Sequence, residues 1–142
     1  MKVFIDTNVI LDVLCKREKF YNDSLNVLKL CEANIIKGYL SALSITNIIY
    51  IMRKELNNEK IYDIINTLSS IFKIVDLTEK DIHCASILDF DDFEDAVQTA
   101  QAQKVRSNYI ITRNLNDYIN CDVNVITPNN FINFIVDEKG LN

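Results

Sequence analysis

The first twelve residues, Met1 to Asp12, read MKVFIDTNVILD. Lys2–Ile5 contains three consecutive apolar side chains and predicts a buried β-strand. Asp6 then stands where another Val or Ile would extend the strand, and Thr7 and Asn8 follow it directly. The apolar residues after Asn8 recur at helical spacing, so a helix is expected next, with Asp6 or Thr7 as its cap. The sequence therefore predicts a carboxylate at the end of the first strand.

Short apolar runs alternate with longer helical patterns along the rest of the chain. Strands are expected at Lys2–Ile5, Tyr39–Ser41, Phe72–Asp76, Asn108–Ile111 and Val123–Ile126. Helices are expected from Thr7, over Ser24–Asn34, after a cap at Ser44, over Lys60–Ser70, from Thr78 to Leu88, over Phe93–Val105 and from Pro128. Gly38 is expected to end the connection that follows the second helix. Strands separated by helices predict an α/β fold, a three-layer α/β/α domain whose central, mainly parallel sheet is flanked by helices. No repeat or linker interrupts the pattern, so residues 1–142 are expected to form a single domain.

The composition excludes several functional classes. The chain of 142 residues is 49% hydrophobic, which suits one compact core. No apolar run approaches the roughly 20 residues of a membrane span, and two aspartates interrupt the N-terminal apolar stretch, so a cytoplasmic protein without membrane contact is expected. The four cysteines show no C-x-x-C spacing and there is one histidine, so neither a zinc site nor a disulfide framework is expected. The net charge of −5 argues against broad, non-specific nucleic-acid binding.

Acidic and amide side chains are concentrated in four places along the sequence. These are Asp6 with Asn8, Asn47, the run Asp91–Asp95 (DDFED), and the segment Asn114–Asp117. Each has an ordinary structural explanation, since Asp6 can cap a helix, the run can be a solvated helix start and Asp117 can be a turn residue. The carboxyl ends of parallel strands, however, meet at one edge of a sheet. Asp6 and the residues after the strand that ends at Ile111 are therefore expected to converge.

The acidic run predicts a binding site for a cation. Asp92 and Asp95 are spaced to share a helical face, whereas Glu94 is expected to point away from them and Phe93 to pack inward. Like charges at this spacing repel each other unless a cation compensates them. Carboxylates without a companion His or Cys favour hard ions such as Mg²⁺ or Mn²⁺, which commonly act on phosphates. The residues alone therefore predict a metal-dependent site for phosphoryl transfer.

Four segments follow one another along the chain in an order that is specific when they are taken together. They are Val3–Asp12 (VFIDTNVILD), Leu40–Asn47 (LSALSITN), Asp92–Gln98 (DFEDAVQ) and Ile111–Asn114 (ITRN) with Asp117. They resemble, in the same order, the motifs of PIN-domain ribonucleases, of the kind found as VapC-type toxins in bacterial toxin–antitoxin pairs. The resemblance spans nearly the whole chain.

The resemblance implies a parallel-sheet α/β fold with an acidic pocket that binds Mg²⁺ or Mn²⁺ and hydrolyses RNA phosphodiester bonds. It implies that Asp6, Asp95 and Asp117 are the catalytic residues and ligate the metal. Contacts with the substrate are expected from Thr7, Asn8, Asn47, Thr112, Arg113 and Asn114. Besides RNA, the implied partners are a second copy of the chain and a small antitoxin protein that blocks the pocket.

One position departs from the family pattern, because Asn47 stands where the family usually carries a glutamate. An amide oxygen can ligate a metal but brings no charge. Asp92 or Glu94 could supply the missing charge, and we expect Asp92 to be the additional metal ligand because of its spacing from Asp95. The alternative is a weakly active or inactive PIN-like module that binds RNA or a protein partner. A receiver or haloacid-dehalogenase fold fits less well, since only one acid follows the first strand.

Overall fold

The computed structural model of the protein describes residues 1–140. Its strands are β1 Lys2–Ile5, β2 Lys37–Ser41, β3 Lys73–Val75, β4 Tyr109–Ile111 and β5 Asn124–Ile126. They form one sheet in the spatial order β3-β2-β1-β4-β5, and each neighbouring pair is parallel. In the centre, Phe4 of β1 lies opposite Tyr39 of β2 on one side and Ile110 of β4 on the other. The predicted α/β class with a parallel sheet is confirmed.

Helices connect the strands and begin close to the positions that the sequence predicts. They are α1 Thr7–Leu14, α2 Tyr21–Glu32, α3 Ala42–Ile51, α4 Asn58–Ile71, α5 Glu79–Ser86, α6 Phe93–Lys104 and α7 Pro128–Lys139. Two short 3₁₀ turns lie at Arg53–Glu55 and Leu115–Tyr118. Within residues 1–140, every helix is too short or too polar to cross a membrane.

Two expectations about local structure are wrong. The cap of α3 is Ser41, whose Oγ accepts a hydrogen bond from the Leu43 amide at 3.1 Å, and the predicted cap Ser44 lies buried inside the helix. Gly38 lies within β2, not in the connection before it. A Cβ atom at Gly38 would lie 2.6 Å from Cys31 Sγ and 2.7 Å from Phe72 Cδ1. Glycine is required there because helix and aromatic side chains pack directly on the strand.

The sheet is covered by helices on both faces, which is the predicted three-layer arrangement. Alternate side chains of a strand point to opposite faces. Val3 and Ile5 pack into a core formed with α1, α2, α3, α4 and α7. Phe4 points the other way and packs with Ala102 of α6 and with Tyr118. Helix α5 packs against α6 on that second face, through small residues such as Ala85 and Ala96.

The topology places polar residues from different parts of the chain at one edge of the sheet. Asp6 follows β1, Ser41 ends β2 and Thr112 follows β4. Because these strands are parallel, all three residues lie at the same carboxyl edge. Helices α1 and α3 begin directly after β1 and β2, so their first turns also lie at this edge.

Candidate active site

A pocket of about 320 Å³ opens at the carboxyl edge of the sheet. It is lined by Asp6, Thr7, Asn8, Asn47, Tyr50, Ile51, Asp92, Glu94, Asp95 and Asp117. The structure therefore brings together seven residues that the sequence analysis assigned to the site, which are Asp6, Thr7, Asn8, Asn47, Asp92, Asp95 and Asp117. Half of the lining residues are acidic, so this pocket concentrates negative charge that neighbouring groups or a cation must balance.

Asp6 is the most deeply placed carboxylate of the pocket, with only 4% of its surface exposed. Thr112 Oγ1 donates a hydrogen bond to Asp6 Oδ2 at 2.6 Å, and Gln98 Nε2 donates to Asp6 Oδ1 at 3.3 Å. Burial raises the pKa of Asp6, and these two donors oppose that effect. Asp6 stands at the N-cap position of α1, but its carboxylate makes no capping hydrogen bond. The nearby backbone amides of Asn8 and Thr7 lower the pKa of Asp6, but less than Thr112 and Gln98 do. The carboxylate is thus fixed by side chains from α6 and from the segment after β4.

Asp95 lies in the first turn of α6 and faces the same pocket. Burial, followed by the negative charges of Asp6, Asp92 and Asp117, raises the pKa of Asp95 to about 7. The buried hydroxyl of Tyr118 donates a hydrogen bond to Asp95 Oδ1 at 3.3 Å and partly offsets this rise. Burial, followed by the charges of Asp6 and Asp95, raises the pKa of Tyr118 itself, so its hydroxyl remains a donor. A carboxyl group with these neighbours can take up or release a proton near neutral pH.

The two acids beside Asp95 differ from the expectation. Glu94 does not point away, because its Oε1 lies in the pocket and is hydrogen-bonded to Thr7 Oγ1 at 3.2 Å. Asp92 precedes α6 as its N-cap, and its Oδ1 accepts hydrogen bonds from the Glu94 and Asp95 amides at 2.8 and 3.4 Å. Phe93 is 50% exposed and does not pack inward. Both Asp92 and Glu94 can therefore add negative charge to the pocket that has Asn47 in its wall.

The segment after β4, residues 112–114, lies next to the acidic pocket but does not line it. Thr112 is fully buried against Asp6, where a substrate could not reach it. Arg113 Nε donates a hydrogen bond to Asp12 Oδ2 at 2.8 Å, and its guanidinium carbon lies 4.1 Å from the centre of the Phe20 ring. Asn114 lies in the neighbouring groove that runs to Asp117, outside the acidic pocket itself. Thr112 and Arg113 therefore hold Asp6 and Asp12, and neither lines the acidic pocket.

Sequence reasoning missed four polar residues around the site. Gln98 lies three residues after Asp95 on the inner side of α6, so helical spacing could have indicated it. Ser44 is buried and hydrogen-bonded to Thr7 Oγ1 at 2.7 Å. No local sequence pattern indicates the roles of Tyr118 and Asp12, because these roles depend on hydrogen bonds with residues far away in the chain, Asp95 and Arg113.

The donor set of the pocket fits a hard divalent cation. It offers carboxylate and amide oxygens. Burial and then the neighbouring acids raise the pKa of Asp95, and a cation between the acids would relieve their repulsion. Among residues 1–140, no three His, Cys, Asp or Glu side chains are already gathered around one metal position. Mg²⁺ commonly keeps several of its waters, so some carboxylates of the pocket can hold such an ion through water and others directly.

Comparison with known proteins identifies the fold family. The family model described as PIN domain matches residues 2–116, which include strands β1 to β4 and helices α1 to α6. The chain belongs to the PIN-domain family. Ribonuclease VapC1 from Aquifex aeolicus (strain VF5) is 27% identical to this PIN domain over 135 residues, which cover 92% of each chain.

Solved structures of low sequence identity share the fold of this PIN domain. A chain of a toxin–antitoxin complex from Klebsiella pneumoniae has a TM-score of 0.69 at 22% identity, and the match covers 89% of this chain and 97% of that one. The second structure is VapBC2 from Rickettsia felis bound to a DNA fragment from the VapBC2 promoter. One of its chains also has a TM-score of 0.69, at 15% identity, and the match covers 89% of this chain and 98% of that one. The predicted resemblance to PIN-domain ribonucleases is therefore confirmed, and so is the three-layer fold.

Proposed function

We propose that this PIN domain is a Mg²⁺- or Mn²⁺-dependent endoribonuclease. The observation that carries the proposal is Asp6, a carboxylate that is almost fully buried, held by two side-chain donors, and open to a pocket with four further acids. Placing a carboxylate there without a cation costs stability, because burial and like charges both disfavour its ionised form. Such a cost is typical of functional sites.

In the proposed site, Asp6, Asp95 and Asp117 hold the metal, and Glu94 or Asp92 supplies the charge that Asn47 lacks. A bound ion would supply a water molecule of lowered pKa and neutralise charge on the phosphate. Thr112 and Gln98 fix the orientation of the Asp6 carboxylate. In the metal-free site the pKa of Asp95 is about 7, so binding of the ion would displace a proton from Asp95 at and below neutral pH.

The proposed biological role is that of the toxin in a toxin–antitoxin pair, acting in the cytoplasm on RNA and restrained by a small antitoxin protein. Support comes from the names of the similar proteins, which include a ribonuclease and chains of toxin–antitoxin complexes. We also propose a homodimer, because Ile87 and Ile119 leave 85% and 81% of their surfaces exposed, and a second copy could cover them.

The second candidate function is a catalytically inactive PIN module that binds RNA or a protein. Asn47 favours it, because this residue lines the pocket without adding the charge of a glutamate. Calorimetry with Mn²⁺ separates the two functions. An inactive module would bind RNA or a partner but show no heat of Mn²⁺ binding. The nuclease must bind both RNA and Mn²⁺.

The proposed function is tested by cleavage of a labelled single-stranded RNA with Mg²⁺ or Mn²⁺. We expect EDTA to abolish cleavage and Asp6→Asn to lower its rate on the order of 100-fold or more, because the variant removes the charge that the metal needs. Circular dichroism checks that Asp6→Asn is folded. Cleavage that survives both EDTA and Asp6→Asn would contradict a metal-dependent site.

A further inference from the structure

One wall of the acidic pocket is formed by the exposed side of α3. Asn47, Tyr50 and Ile51 stand at helical positions i, i+3 and i+4, and all three line the pocket. Tyr50 is 65% exposed and Ile51 is 52% exposed. An aromatic ring of this exposure stands at the rim of the pocket, where a substrate passes on its way to the acids.

Arg53 holds the Tyr50 ring in a defined arrangement. Its guanidinium carbon lies 4.1 Å from the centre of the ring, and its NH1 group donates a hydrogen bond to the Tyr50 carbonyl oxygen at 2.8 Å. The guanidinium covers part of the ring, but most of the side chain remains open to solvent. Stacking of this kind orders the ring and places a positive charge beside it.

The negative charge of the pocket indicates why an aromatic ring beside an arginine would help to bind RNA here. Within the described residues, the wall of the acidic pocket contains no lysine or arginine, and the whole chain has a net charge of −5. An RNA strand therefore gains little from phosphate contacts inside the pocket and must be held by other groups. Proteins that bind single strands commonly add aromatic rings on which bases stack, often with arginine next to them.

We propose that Tyr50 and Arg53 form a stacking site for an unpaired nucleobase of the RNA, beside the phosphodiester bond that enters the acidic pocket. The base lies on the open part of the Tyr50 ring, and the charge of Arg53 faces the neighbouring phosphate. This inference rests on the proposed function, since it assumes that RNA is the substrate. It assigns a binding role to a residue whose side chain does nothing for the core.

The test compares Tyr50→Ala with Tyr62→Ala. Tyr62 is the matched control, because it is 67% exposed, lies on α4 and is not part of the pocket. Binding of a short single-stranded RNA that contains the fluorescent base 2-aminopurine is measured in EDTA, which prevents metal-dependent cleavage. We expect Tyr50→Ala to weaken binding roughly 10- to 100-fold and to remove the quenching of the fluorescent base. Tyr50→Phe should retain the RNA affinity and the quenching, and Tyr62→Ala should leave the affinity and the quenching unchanged.

The outcomes separate this inference from the proposed function. If Tyr50→Ala binds and quenches like Tyr62→Ala, or if the wild type binds no RNA, the stacking site does not exist. Should cleavage by the wild type be metal-dependent in that case, the proposed nuclease still stands and the exposed tyrosine belongs to a protein-binding surface. If RNA binding depends on Tyr50 but no cleavage occurs with Mg²⁺ or Mn²⁺, the stacking site stands and the nuclease does not.

Discussion

At the scale of single residues, the chain controls the protonation of its two central aspartates differently. Asp6 is almost completely buried, and its carboxylate receives hydrogen bonds from Thr112 and Gln98 that favour the ionised form. Asp95 is half-buried, and this burial, followed by the charges of its three acidic neighbours, raises its pKa to about 7. Burial nevertheless raises the pKa of Asp6, and the pKa of about 7 means that the charge of Asp95 changes near neutral pH.

We expect the metal-free protein to lose stability as the pH rises from 3.8 to about 7. In this range the unfolded chain has released the Asp95 proton and the folded protein still holds it, so the free energy of unfolding falls with rising pH. Asp6, whose pKa is also raised, acts in the same direction, whereas Asp81, whose pKa is lowered, has already ionised below this range. Asp95→Asn should flatten the dependence. Urea unfolding in EDTA between about pH 5 and about pH 8 measures it, and an equally steep slope in the variant would show that Asp95 is not responsible.

Glu94 and Asp92 offer a direct comparison of two possible sources of charge. We expect Glu94→Gln to weaken Mn²⁺ binding on the order of 10-fold, and more than Asp92→Asn does. Asp92 is exposed and one of its oxygens accepts two amides of α6, whereas Glu94 is half-buried and accepts one hydrogen bond, from Thr7. Asparagine caps a helix as well as aspartate, so Asp92→Asn changes charge without removing the cap. Calorimetry at one pH compares the Mn²⁺ affinities of the two variants. A larger loss of affinity in Asp92→Asn would support Asp92 as the additional metal ligand, as the sequence predicted.

At the scale of elements, a buried ion pair ties the segment after β4 to the first two helices. Asp12 of α1 is fully buried and accepts hydrogen bonds from Arg113 Nε at 2.8 Å and Ser24 Oγ at 3.2 Å. Arg17 NH1 approaches the other carboxylate oxygen at 3.4 Å. Arg113 follows Thr112, which holds Asp6, so this pair fixes the backbone that supports the acidic pocket.

We expect Arg113→Met to destabilise the fold by about 3 kcal/mol, because it leaves the buried Asp12 carboxylate without its shortest partner. Arg17→Met is the control. Its contact with Asp12 is longer and its side chain is 36% exposed, so a loss of less than about 1 kcal/mol is expected. Urea unfolding at neutral pH measures both. If Arg113→Met instead raised the KM for RNA without a loss of stability, Arg113 would be a substrate-binding residue, as the sequence predicted.

At the scale of the whole molecule, the parallel sheet brings acids from distant parts of the chain to one edge. We expect induced expression of the wild type in a bacterial host to stop growth, because a free ribonuclease destroys RNA that the cell needs, and Asp6→Asn to leave growth unchanged. Co-expression of a short reading frame next to the gene should restore growth if it encodes the antitoxin. Normal growth with wild-type protein at confirmed expression would contradict the toxin role and leave RNA cleavage in vitro to be judged separately.

The sequence by itself determined the layers of the fold and the deepest acid of the pocket. Strand and helix patterns predicted five strands within a few residues of their observed bounds, because apolar periodicity reflects burial directly. A carboxylate after a strand of a parallel sheet must lie at the carboxyl edge, so the position of Asp6 followed from β1 and the predicted parallel sheet.

Only the tertiary structure decided how the acids are held and which neighbours they have. Glu94 lies in the pocket although α6 begins at Phe93 as predicted, because Thr7 of α1, 87 residues earlier in the chain, donates a hydrogen bond to its Oε1. Arg113 turns to Asp12 because a buried carboxylate requires a partner, and that carboxylate lies about a hundred residues earlier in the chain. Sequence patterns report local burial, whereas hydrogen bonds between distant segments depend on packing that no local pattern contains.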